Sequence, residues 1–224
     1  VEDNGIGMSQ DVMENVYFNL FRSLNEALRH AEGKFGIGAI SNFGLGHEYV
    51  MVDSKPANGE EGGLAIVDPF LQREDSFQPT RMLEAGTTVE IKLSRDSDID
   101  FDRIVGILKG DCCYVETPIY LHIGDTVEKV NKPLLVDTLD SINFSDGRVH
   151  GHLKKGDVGV VKLLSHNIRL ASVDSIGYEG AVNCNEFDKS FSRDSVIDDP
   201  VLQYVLAYIR NKGRELMQSG EINT

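Results

Sequence analysis

The sequence contains only three cysteines, and their placement opposes both a disulfide framework and a cysteine-based metal site. Cys112 and Cys113 are adjacent and Cys184 stands alone, so the odd number favours a reducing compartment and a packing role for these side chains. The histidines also lack the spacing of metal ligands, apart from the close pair His150 and His152. We therefore expect no metal centre built from cysteine or histidine.

Long apolar runs and an excess of positive charge are missing as well. No stretch of about 18 consecutive apolar residues occurs, and no signal-peptide pattern opens the chain. The 36 acidic residues outnumber the 22 basic ones, which gives a formal net charge of -14. This balance opposes non-specific binding to nucleic acid or to anionic membranes, because both depend on basic patches. We expect a cytoplasmic protein with neither a membrane nor a nucleic acid as its partner.

The apolar residues recur at helical spacing in some segments and at strand spacing in others. The 224 residues, 41% of them apolar, suit one large or two small domains. An amphipathic pattern predicts a helix from Ser9, as N-cap, to about Ala31, and another over residues 99–108. A third helix is predicted to begin at Pro200. The predicted strands are HEYVMVDSK, LAIVDPF, TTVEIKLS, IYLHIGD, GVVKLLS, NIRLASV and AVNCN. The mixture predicts an α/β (α+β) layered fold.

Two glycine-rich segments flank the first predicted helix. DNGIGM begins at Asp3, and GKFGIGA begins at Gly33. A carboxylate such as that of Asp3 can accept a hydrogen bond from the exocyclic amine of a base, and glycines let the backbone approach a planar ligand. Glycines ahead of a helix expose consecutive N–H groups that bind phosphates. Together the segments indicate a nucleotide site, with one segment for the base and the other for the phosphates.

Each segment alone has other interpretations. D-x-G-x-G also occurs in calcium-binding loops and in ordinary turns, and G-x-x-G-x-G is often structural. A dinucleotide-binding fingerprint would follow a strand and precede an acidic residue about 20 positions later. Gly33 follows a predicted helix instead, so this context disfavours a dinucleotide site.

The order of the motifs DNGIGM, helix, GKFGIGAISNF, strand and GTTVEIKL resembles that of the Bergerat-fold ATPases of the GHKL group. Within that group it is most similar to the ninety-kilodalton heat-shock chaperones. The resemblance implies a Bergerat-type α/β sandwich in which Asp3 binds the adenine amine of ATP and Thr87 assists base recognition. The residues implied to line the base pocket are Gly5, Gly7 and Met8, and those implied to cover the phosphates are Gly33, Gly36, Ile37, Gly38 and Ala39.

The segment NCNEFDKSFSRDSVIDD resembles part of the middle domain of those chaperones, where an N-x-S-R-E stretch precedes a long helix. The resemblance implies that Arg193 reaches the terminal phosphate when the domains close, and an arginine can bind phosphate through two charge-assisted bonds. From the residues alone, Arg193 could instead form a local salt bridge with Asp194 or Asp198. The match is looser here, because Phe191 stands where a smaller aliphatic residue is usual and Asp194 replaces Glu.

The resemblance implies two domains, an ATP-binding domain over residues 1–132 and a middle-domain-like α/β segment over residues 133–224. In the family, the catalytic Glu and the metal-holding Asn precede the first motif, and neither is found here. We therefore expect an N-terminally incomplete ATP domain that hydrolyses nothing as it stands, since Glu2 is too close to the motif to substitute. For the intact protein, the resemblance implies magnesium-dependent ATP hydrolysis, with ATP and ADP as ligands, homodimerisation, and client proteins as possible partners.

These observations predict an ATP-binding, chaperone-like protein in which ATP drives closure of the N-terminal and middle domains. A second hypothesis is a non-catalytic regulatory or interaction module that binds nucleotide without turnover. A third is another ATPase of the GHKL group, MutL-like or MORC-like, which acts with nucleic acid and which the acidic charge disfavours.

Overall fold

A computed structural model describes residues 1–18, 47–67, 77–157, 159–190 and 195–218. These residues form a mixed α+β fold with helices and three sheets, which confirms the predicted fold class. The chain divides into two compact units, Val1–Ile99 and Asp100–Thr224. The boundary predicted after residue 132 lies inside the second unit.

The described residues of the first unit form an antiparallel sheet, and each strand that was predicted for this region is present. Its strands are β1 (Glu2–Asp3), β2 (His47–Lys55), β3 (Gly63–Val67), β4 (Phe77–Pro79) and β5 (Gly86–Leu93). Their order across the sheet is β1-β5-β2-β3-β4. The N-terminal motif thus enters the sheet as an edge strand beside β5, although the two are far apart in sequence.

A short helix packs on one face of this sheet. The helix α1 (Gln10–Val12) continues as a π-helical turn over Met13–Tyr17. Ser9 is its N-cap, as predicted, because the Ser9 Oγ accepts the N–H of Val12 at 3.4 Å. The side chain of Met13 is fully buried and anchors the helix to the apolar face of the sheet. The rest of the predicted helix, to Ala31, lies outside the described residues.

The second unit begins with a helix and a hairpin. The helix α2 (Phe101–Asp111) is capped by Asp100, whose Oδ1 accepts the N–H of Arg103 at 3.0 Å. The strands β6 (Tyr120–Ile123) and β7 (Thr126–Lys129) pair with each other to form a separate two-stranded sheet. Helix α2 and strand β6 are close to the positions predicted for them.

Five strands build the main sheet of the second unit. They are β8 (Ser141–Ser145), β9 (Val149–Lys155), β10 (Gly159–Ser165), β11 (Ile168–Ser175) and β12 (Tyr178–Cys184). Their order is β11-β10-β12-β9-β8, and only the pair β10–β12 is parallel. Strands β8 and β9 were not predicted. The helix α3 (Pro200–Gln218) begins at the predicted proline.

Both faces of this second sheet are covered. On one face, α3 buries Val205, Ile209 and Leu216 against strand residues such as Leu153 and Val182. On the other face, the segment after α2 packs on the sheet, and the buried residues there are Cys113, Tyr114, Leu164 and Ala181. Across the part of the chain that the structure describes, no helix has both the length and the apolar character needed to cross a membrane.

Candidate nucleotide site

Three polar side chains form a row across the first sheet. Asp3 on β1 lies directly opposite Thr87 on β5, and Thr87 lies directly opposite Ser54 on β2. Directly opposed residues of antiparallel strands point to the same face, with Cβ atoms about 4.5–5.5 Å apart. We call Asp3, Thr87 and Ser54 the polar row. It brings together two residues predicted for base recognition with one that was not predicted.

The polar row borders the apolar core of this unit. Two positions along the strands, the same sheet face carries Val89 on β5, Val52 on β2 and Ala65 on β3. Val52 and Ala65 are fully buried in a cluster with Met13, and Met8 packs against this cluster. The polar row therefore lies at the end of a buried apolar core, and Met8, which is only partly buried, contacts both.

Ser54 connects the separate segments of the site. Its Oγ accepts the N–H of Met8 at 2.8 Å and donates to the carbonyl oxygen of Gly86 at 3.0 Å. The same Oγ lies 2.9 Å from the Oγ1 of Thr87. The Ser54 side chain is completely buried, so these bonds are not exposed to competing water. Ser54 thus fixes the end of the DNGIGM motif against the start of β5.

Asp3 keeps one carboxylate oxygen uncommitted. Its Oδ1 accepts the N–H of Gly5 at 2.8 Å, which closes a local turn of the kind that Asp side chains favour. Among the described residues, the Oδ2 of Asp3 has no hydrogen-bond partner, and the residue is exposed. Asp3 can therefore accept a hydrogen bond from a ligand without giving up its structural bond to Gly5.

The motif glycines have packing roles of their own. Gly7 has a φ of 64°, and a Cβ at this position would overlap the carbonyl oxygen of Lys55. Gly86 has a φ of 151°, and a Cβ there would overlap the carbonyl oxygen of Asp3. A Cβ on Gly5 would lie 2.9 Å from the Asp3 carboxylate. Gly7 and Gly86 thus allow two backbone segments to approach each other, in addition to any contact with a ligand.

The predicted phosphate side of the site lies outside the described residues. This applies to Gly33, Gly36, Ile37, Gly38 and Ala39, and also to Arg193. Their roles remain predictions. The structure describes Asp3, Gly5, Gly7, Met8 and Thr87 and brings all five to one end of the first sheet.

Two residues of the site were missed by sequence reasoning. Ser54 belongs to no motif, and its only sequence signal is a polar residue in a strand position that should be apolar by the period of two. Gly86 is part of the G-T dipeptide, but its close approach to Asp3 depends on a pairing between distant strands. Neither feature can be read from local spacing.

The cysteines and histidines that the structure describes contribute no comparable site. The structure shows free thiols at Cys112, Cys113 and Cys184, and burial raises the pKa of Cys112 and of Cys184, which opposes formation of a reactive thiolate. The described residues include no cluster of three or more His, Cys, Asp or Glu side chains that could hold a metal ion. His152 instead donates its Nδ1 proton to the carbonyl oxygen of Leu134 at 2.5 Å.

Two comparisons with known proteins give no assignment for this site. A scan against models of known protein families finds no match to the chain, and a search of curated proteins finds none either. Any function must therefore be argued from the geometry of the polar row and from the sequence motifs.

Proposed function

We propose that the first unit binds ATP and that the base is recognised at the polar row. The observation that carries this proposal is the direct pairing of Asp3 with Thr87, because it places the two predicted base-binding side chains side by side on one sheet face. The free oxygen of Asp3 suits the donating amine of adenine, and the partly exposed side chain of Met8 suits the ring. When ATP is bound, the segment GKFGIGA would cover its phosphates and the magnesium ion that they hold.

The motif resemblance is the basis for a proposal about the function of the intact protein. We propose a chaperone-like ATPase of the GHKL group in which closure of two domains brings Arg193 to the terminal phosphate. The order of DNGIGM, GKFGIGA and GTTVEIKL supports this proposal. The convergence of the first and third of these motifs on one sheet also supports it.

Calorimetric titration with ATP and magnesium tests the binding proposal. The wild-type protein is expected to bind, and Asp3→Asn is expected to bind about 10- to 100-fold more weakly, because it loses a hydrogen bond to a charged acceptor. Glu2→Gln is the matched control, since Glu2 is the exposed neighbour of Asp3 and points to the opposite sheet face. Equal affinities of wild type and Asp3→Asn would refute the assignment of the base site.

The closure proposal has a separate test. In the intact protein, Arg193→Ala is expected to lower ATP turnover while ATP affinity changes little, because the arginine would act only in the closed state. Turnover can be measured by phosphate release at saturating ATP. Equal turnover in the wild type and the variant would leave Arg193 as a local salt-bridge residue.

A further inference from the structure

The hydrogen bonds of Ser54 determine where its proton lies. A serine hydroxyl has one proton to donate and two lone pairs that accept. The N–H of Met8 can only donate to the Ser54 Oγ, and the carbonyl oxygen of Gly86 can only accept from it. The single proton of Ser54 is therefore committed to Gly86.

This assignment determines the direction of the bond between Ser54 and Thr87. The two hydroxyl oxygens are 2.9 Å apart, so one of them must donate to the other. Since the Ser54 proton is already used, Thr87 donates its proton and Ser54 accepts with its second lone pair. The Thr87 oxygen consequently presents only lone pairs to a ligand.

Like Thr87, Asp3 presents only hydrogen-bond acceptors to a ligand. Its Oδ1 is occupied by the N–H of Gly5, and its Oδ2 carries lone pairs only. Asp3 and Thr87 are directly opposed on one sheet face, so two acceptors stand next to each other. A ligand edge that fits both groups must supply N–H donors. The exocyclic amine of a 6-aminopurine supplies two, whereas the oxygen of a 6-oxopurine is itself an acceptor.

We propose that Ser54 is a positioning residue that sets the base selectivity of the nucleotide site. It does not touch the ligand, and it acts by holding the proton of Thr87 away from it. This inference rests on the proposed nucleotide binding. It adds that the preference for a 6-amino group over a 6-oxo group depends on a buried hydroxyl behind the recognition residues.

The wild-type protein alone provides one test. Calorimetry with ATP, purine riboside 5′-triphosphate and inosine 5′-triphosphate compares an amino group, a hydrogen and an oxo group at position 6. The expected order of affinity is ATP first, the purine riboside second and inosine last, with steps of roughly tenfold for a lost or opposed hydrogen bond. If inosine triphosphate bound as tightly as ATP, the site would not discriminate against a 6-oxo group, and the inference would be wrong.

A variant of Ser54 provides the second test. Ser54→Ala removes the acceptor that holds the Thr87 proton, so the hydroxyl can turn and donate to a 6-oxo group. The ratio of ATP affinity to inosine triphosphate affinity is expected to fall roughly tenfold towards unity. Ser54→Thr keeps the hydroxyl and should restore the wild-type ratio. Thr88→Val is the matched control, because Thr88 is on the same strand and points to the opposite face.

The outcomes separate this inference from the binding proposal. If the wild type binds none of the three nucleotides, the proposed function fails. If the wild type binds ATP but the ratio is the same in Ser54→Ala, only the role of Ser54 fails. A merely structural role for Ser54 would lower both affinities equally and leave the ratio unchanged. If Ser54→Ala does not fold, the order of the three nucleotides on the wild type decides the question.

Discussion

On the face of the second sheet opposite α3, His152 and Asn183 bond to the chain itself, whereas in the polar row of the first unit Asp3 has one carboxylate oxygen without a partner among the described residues. His152 donates to Leu134, and the Oδ1 of Asn183 accepts the N–H of Asn167 at 2.7 Å. The Oδ1 of Asn167 is an exception, since it is buried and has no described partner. By contrast, the free oxygen of Asp3 is exposed at the end of an apolar face.

Under the proposed function, this difference separates a sheet that serves stability from one that also serves recognition. A buried polar group must find its partner within the fold, because leaving it unpaired costs about 1–3 kcal/mol. Asp3 satisfies one oxygen internally, and its other oxygen is exposed to solvent. The comparison predicts that substitutions in the second sheet alter stability, while substitutions of the polar row alter binding.

The largest effect is expected from a core substitution in the second unit. Leu153 is fully buried between β9 and α3, so Leu153→Ala should lower the free energy of unfolding by about 2–5 kcal/mol. Urea denaturation followed by circular dichroism measures this loss. Ile176→Ala is the control, because the Ile176 side chain is 92% exposed and its truncation leaves no cavity. ATP affinity under folding conditions should not change, and a large change in affinity would break the comparison.

A smaller loss of stability is expected at Gly7 in the first unit. Gly7→Ala combines a positive φ with an overlap between the new Cβ and the Lys55 carbonyl oxygen, so it should cost about 1–3 kcal/mol. Gly59→Ala is the matched control. Gly59 also has a positive φ, of 83°, but no atom lies within 4 Å of the added Cβ. Thermal unfolding should show a clearly larger decrease for Gly7→Ala, and equal decreases would contradict the packing role of Gly7.

The smallest effect is expected from the titration of His152 in the second unit. Burial lowers the pKa of this side chain below its ordinary value of 6.5, and the nearby Lys132 and Lys154 act in the same direction. The bond to Leu134 and the charge of Glu179 partly oppose this shift. The folded state therefore binds a proton less readily than the unfolded state does. The stability of the second unit should fall as the pH decreases below 6.5.

Denaturation at pH of about 7.5 and about 5.5 measures this dependence. The free energy of unfolding should decrease less between these values for His152→Gln than for the wild type. His122→Gln serves as the control, since His122 is an exposed residue of the β6–β7 hairpin. If His152→Gln lost as much stability on acidification as the wild type, His152 would not be the titrating group.

Sequence reasoning predicted the strands and helices that have a clear hydrophobic period or start signal, and it missed those that have neither. The alternation in HEYVMVDSK and GTTVEIKL predicted β2 and β5, and the Pro200 start predicted α3. Strand β9 was missed because its letters, VHGHLKK, combine histidine, glycine and lysine, which are typical of loops. Its Gly151 is needed in the strand, since a Cβ there would overlap the carbonyl oxygen of Ala181 on β12.

The candidate site was predicted only in part for a similar reason. Asp3 and Thr87 each belong to a recognisable motif, so sequence reasoning could name them. Their direct pairing, and the position of Ser54 behind them, depend on the register between strands that are distant in sequence. Register is set by turns and by the apolar pattern of the whole sheet, and a local motif carries no information about it.

Amide hydrogen exchange with and without ATP and magnesium is the most direct test of the central claim, that the polar row is the base-binding part of a nucleotide site. The account predicts that saturating ATP slows exchange in peptides covering residues 1–8 and 86–88, where the polar row meets the DNGIGM motif. The amide hydrogens of the second-sheet strands that pack against α3 should exchange at the same rate with and without ATP. Unchanged exchange at residues 1–8 and 86–88 in the presence of saturating ATP would contradict the claim.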